Sequence, residues 1–134
     1  MVAFLTRQPS IDAILVGAMG GAFFEGLIVN EAVKVFTNLG RKPDLFFWRS
    51  HDGLKVDLII QIHGKLYPVE IKMTSSPTLQ HLDPLNKFKK IVGEDEAQVG
   101  VLVCRAVKKI ILSNSNTILP WHEFSGWLLD RLTQ

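Results

Sequence analysis

Two short turn signals cut residues 45–73 into three apolar runs, and no other feature of the chain constrains its fold as much. "HDG" separates "LFFWRS" from "LKVDLIIQI", and "HGK" separates that run from "LYPVEIKM". Each run is β-branched or aromatic enough for a strand, and connections this short join antiparallel neighbours. A three-strand meander is expected. Alternation then assigns the faces. On the second strand Val56, Leu58, Ile60 and Ile62 take one side, and Asp57, Ile59 and Gln61 the other. On the third, Leu66, Pro68, Glu70 and Lys72 share a side, opposite Tyr67, Val69, Ile71 and Met73.

Helices frame the meander. "GAFFEGLIVNEAVKVFTN" (21–38) has helical spacing, with Glu25, Val29, Ala32 and Phe36 on one face, and "LGRKPD" ends it. "SSPTLQHLDPLNKFKKIVG" returns to that spacing through Leu82, Leu85 and Phe88, and Pro84 makes its first turn irregular. "AQVGVLVCR" is a continuous apolar run of the kind buried on both faces. "KKIILS" and "NTILP" read as a short hairpin, and "WHEFSGWLLDRL" as a closing amphipathic helix. Its Trp121, Phe124, Trp127 and Leu128 suit core packing first, and pairing with a second copy as a homodimer second. A helix between the third and fourth main strands permits a parallel crossover. The expected architecture is α/β, a mixed sheet flanked by helices. "VGAMGG" reads as a loop or frayed helix, and residues 1–19 as a poorly ordered or remnant segment.

Composition narrows the class. The 134 residues suit one domain spanning 1–134, and 47% hydrophobic against 21% charged residues argues for a folded chain. No apolar run is long enough to cross a bilayer, and the start lacks a secretory core, so a soluble cytoplasmic protein without a membrane partner is expected. Cys104 is the single cysteine, which excludes an internal disulfide, and the four histidines lack zinc-ligand spacing. The net charge of +2 tolerates a polyanionic partner without demanding one. "NKFKK" and "CRAVKK" gather positive charge, as solvated faces or as a phosphate-binding surface.

The chemistry-bearing residues lie in the meander. If its second and third strands pair through "HGK", one register brings Asp57 and Glu70 to one side, with Lys72 two residues beyond Glu70, but the sequence does not fix which register forms. Glu25 adds an acid to an otherwise apolar helical stripe, a placement that is costly unless it is paired or near a cation. Oxygen ligands suit Mg²⁺ or Mn²⁺, which accept one or two carboxylates alongside waters and phosphate oxygens. Glu–x–Lys on a half-wet strand is also a common solvated pattern.

Taken together, an acid in one strand, "E-x-K" in the next and a helix bearing Glu upstream resemble the PD-(D/E)XK nuclease superfamily. "GAFFEGLIVNEAVK", "FFWRSHDGLKVDLII" and "LYPVEIKMTSSPT" resemble more closely the domain of unknown function 4143, usually found C-terminal to an AAA-type ATPase in prokaryotic proteins. The resemblance covers residues 20 to 121 and extends to "VGVLVCR" and "ILPW". It implies a restriction-endonuclease-like fold and divalent-metal-dependent cleavage of nucleic acid, DNA before RNA. Asp57 and Glu70 would hold the metal with the Ile71 carbonyl, Lys72 would be the catalytic lysine, and Glu25 the assisting helical acid. Glu25 fits the family's "FE" position better than Glu31 does. Val56 stands where the superfamily name has proline. No G-x-x-x-x-G-K-[ST] loop occurs, so the chain reads as a remnant, a stand-alone module or an excised domain, with an ATPase as a possible partner and a non-catalytic binding module as the alternative reading.

Overall fold

The "HGK" turn closes as a tight hairpin with both central residues in the left-handed region, His63 at φ 51° and Gly64 at φ 79°. Such primed turns match the twist of the strands they join. The computed structural model describes residues 20–134, which places the reading of residues 1–19, and most of "VGAMGG", outside the described residues. The elements run α1 (Gly20–Asn38), β1 (Leu45–Arg49), β2 (Lys55–Ile62), β3 (Lys65–Ile71), α2 (Asp83–Val92), β4 (Val101–Cys104), β5 (Ile110–Ile111), β6 (Thr117–Pro120) and α3 (Phe124–Leu132). A 3₁₀ turn, Leu79–Leu82, precedes α2, where the proline falls in the first helical turn and loses no hydrogen bond.

The strands form one mixed sheet in the order β1-β2-β3-β4-β6-β5. The meander β1-β2-β3 is antiparallel, α2 supplies the crossover to β4, and β4 runs parallel to both β3 and β6. The expected terminal hairpin forms, with Ile110 opposite Ile118, but β6 also docks in parallel on β4 and carries β5 at the sheet edge.

Each face of the sheet has its own apolar layer. On one side Leu58, Ile60, Val69, Ile71, Val101 and Val103 pack with Phe24, Ile28 and Phe36 of α1 and Phe124, Trp127 and Leu128 of α3. On the other, Ile59, Leu102 and Ile118 meet Leu85 and Phe88 of α2. Burying each large side chain contributes roughly 1.5–3 kcal/mol. The aromatic stripe of α3 is thus used mainly in the core, with Trp121 on its approach left partly exposed.

Two face assignments need correction. The buried stripe of α1 is Phe24, Ile28, Ala32 and Phe36, at intervals of four, so Glu25 and Val29 flank it rather than belong to it. Val56 packs with Ile59 in the α2 layer, not with Leu58. The cause is a β-bulge. Phe46 faces Ile59 but Trp48 faces Val56, so β2 spends one more residue than β1 across Asp57 and Leu58. An extra residue reverses the alternation beyond it.

Candidate active site

Asp57 sits in the bulge. The β2–β3 ladder pairs Ile62 with Lys65 through Leu58 with Val69, and the next residues are Asp57 and Glu70. Here side chains take over from the backbone. The Ile71 N–H donates to Asp57 Oδ2 at 2.8 Å, and the Asp57 N–H donates to Glu70 Oε1 at 3.2 Å. Each acid therefore caps the other strand's backbone, and both are buried, at 5% and 4% exposure.

Neighbouring strands fix the surroundings. Glu70 stands opposite Leu102, which belongs to the α2 layer, while Val69 and Ile71 stand opposite Val101 and Val103 of the other layer. Glu70 and Lys72 thus share the α2 side. The Lys72 N–H donates to the Val103 carbonyl at 3.0 Å, so the N–H and C=O of Ile71 both point toward β2 and the Asp57 gap. The Lys72 side chain is exposed just past the strand end.

Two carboxyls this close and this dry cannot both ionise cheaply. Burial, and then the Asp57 carboxylate beside it, push the Glu70 carboxyl up to about 8, against a smaller downward pull from Lys72. On the open side, Lys55 Nζ lies 3.4 Å from Asp57 Oδ1. The pair accordingly favours a cation: a shared proton, an ammonium, or a metal ion. Its donors fit a hard divalent ion, with two carboxylates and the Ile71 carbonyl facing one gap.

The structure joins Asp57, Glu70, Ile71 and Lys72, but it puts Glu25 elsewhere. Glu25 is on α1, the helix of the opposite layer, where it lines an open groove with Gly26, Val29, Val33 and Phe47. Among the described residues no third acid, histidine or cysteine joins the pair as a metal-binding group. Sequence reasoning missed Lys55, although its place two residues before Asp57 in one strand was a usable signal. It also missed a polar bridge beneath α2. Buried Asn116 donates to Asn86 Oδ1 at 2.7 Å and accepts from Lys89 Nζ at 2.6 Å. That contact takes Lys89 out of the basic surface to which "NKFKK" assigned it, and burial lowers its ammonium pKa.

Fold and site together define an α/β domain with a mixed six-stranded sheet and a buried acid pair at a bulge. The family described as Domain of unknown function (DUF4143) matches residues 20–124, and the chain belongs to that family. Two uncharacterized proteins, from Mycobacterium bovis and Mycobacterium tuberculosis, are each 32% identical to it over 59 residues. Those residues are 44% of this chain and 12% of each relative, so the chain spans only a small part of the curated proteins it matches. No solved structure matches it. Among the described residues no helix is long and apolar enough to cross a membrane.

Proposed function

We propose that this is a PD-(D/E)XK-type domain, restriction-endonuclease-like in topology, that hydrolyses nucleic-acid phosphodiesters, DNA first, with Mg²⁺ or Mn²⁺. The observation that carries the reading is the Asp57–Glu70 pair, buried, reciprocally hydrogen-bonded to backbone and followed on Glu70's own face by Lys72. Asp57 and Glu70, with the Ile71 carbonyl, would hold the ion. When bound, a divalent ion supplies Lewis acidity, lowering the pKa of water and offsetting phosphate charge. Lys72 orients the attacking water and faces the charge that builds on the phosphate. Glu25 lines a separate groove and falls outside this ligand set.

A second reading is a non-catalytic module that binds nucleic acid or a partner such as an ATPase. It is favoured by the donor set, which has two carboxylates rather than three, one of them already facing Lys55. The test is cleavage of labelled linear, branched and single-stranded DNA with Mn²⁺, beside Lys72→Ala. The hydrolytic reading requires cleavage in the wild type and its loss in the folded variant. Equal activity in both, or none in either, leaves the binding module.

A further inference from the structure

An open groove of about 530 Å³ runs between the β1–β2 turn and α2. Its charged lining is Lys55, Lys87 and Lys90 against one carboxylate, Asp52, and its apolar lining includes Pro84 and Ile91. Lys87 and Lys90 are one turn apart on α2, so they project on the same side. All three lysines are exposed. Asp52 offsets one of these three charges, which leaves the lining net positive. Its carboxylate is tied to the Ser50 hydroxyl, which holds its pKa below the ordinary range.

Lys55 joins this groove to the acid pair, because the residue that lines the groove also places its Nζ 3.4 Å from Asp57 Oδ1. We propose that the groove is a track for the sugar–phosphate backbone of a nucleic-acid strand, leading past Lys55 to Asp57 and Glu70. This deepens the hydrolytic reading by placing the substrate, and rests on it only for the direction of the strand. Lysines act as point charges on phosphates, which gives binding without sequence preference. The exposed Ile91 and the half-buried Pro84 offer apolar surface to sugars between the phosphates. Charge and apolar surface side by side favour a nucleic-acid strand over a purely acidic peptide.

The experiment is fluorescence anisotropy of a labelled DNA oligonucleotide in EDTA, so that metal and cleavage play no part. Three phosphate contacts predict a slope of log affinity against log salt of about −2 to −2.7, roughly a 20- to 40-fold loss between 50 and 200 mM salt. Lys87→Ala with Lys90→Ala lowers the slope to about −0.7 to −0.9. Lys108→Ala with Lys109→Ala removes equal charge away from the groove and leaves the slope unchanged. Thermal melts confirm that both double variants fold. An equal effect of the two double variants, no binding at 50 mM salt, or equal displacement by polyglutamate of matched charge overturns the proposal. Binding through Lys87 and Lys90 without any cleavage in Mn²⁺ leaves the track standing and removes the hydrolytic reading alone.

Discussion

Glu70→Gln in the metal-free protein tests the acid pair most sharply. The amide keeps an oxygen to accept the Asp57 N–H and offers an N–H₂ to the Asp57 carboxylate, so it copies protonated Glu70 at every pH. In the wild type the Glu70 carboxyl rises from 4.5 to about 8, chiefly through burial and then through Asp57. A raised folded-state pKa contributes stability that is complete below the unfolded value of 4.5 and is lost as pH rises through about 8. At about 1.4 kcal/mol per pKa unit, the wild type loses on the order of 3 kcal/mol between pH 4.5 and 7. Water at the Lys55 side screens part of this, so the expected span is about 1.5–3 kcal/mol. The variant carries no such loss. Urea unfolding in EDTA at pH 4.5, 5.5, 6.5 and 7.5 measures the difference between the two proteins, in which their shared titrations cancel. The variant gains on the wild type by that amount as pH rises. A difference that is flat with pH, or that shrinks, refutes a buried pair sharing one proton.

Three further outcomes follow from local geometry. Asp57→Asn relieves the same repulsion and keeps an acceptor for the Ile71 N–H, whereas Asp57→Ala orphans that buried donor; urea melts at pH 7 place alanine about 1–3 kcal/mol below asparagine. Gly100→Ala brings a Cβ to 2.6 Å from Asn116 Oδ1 and 3.1 Å from Leu85 Cβ. Because Asn116 is held by Asn86 and Lys89, it cannot yield, and the same melts show a loss of about 1–3 kcal/mol. Millimolar Mn²⁺ raises the melting temperature of the wild type more at pH 8 than at pH 6, since the ion competes with the Glu70 proton, and leaves Asp57→Asn nearly unmoved.

The meander was legible because its signals are local. "HGK" reads as a tight turn, and the β-branched runs on either side mark two strands that pair through it, though not the register in which they do so. The register that carries Asp57 to Glu70, with Leu58 opposite Val69 and Ile62 opposite Lys65, is read from the structure. What stayed hidden depends on events that spacing does not encode. The bulge at Asp57 and Leu58 answers to β1 on its far side, and it reversed the face of Val56. Glu25 sits one residue from Phe24, so a helical wheel places it near the core, while the sheet decides which 100° of the wheel is covered. Lys89 read as surface charge until β6 brought Asn116 beneath α2, a contact between residues 27 apart. The order β4-β6-β5 was likewise unreadable, since two short apolar runs pair as well with each other as with a third strand.

Calorimetric titration of Mn²⁺ into the wild type at pH 7, in buffers of different ionisation enthalpy, bears most directly on the claim that Asp57 and Glu70 exchange a proton for a divalent ion. With Glu70 pushed up to about 8, the pair is protonated before binding and must be ionised after it. The expected result is one ion bound with release of about one proton in the wild type, and no proton released by Glu70→Gln. Absence of binding heat, or binding with no proton released by the wild type, contradicts the account.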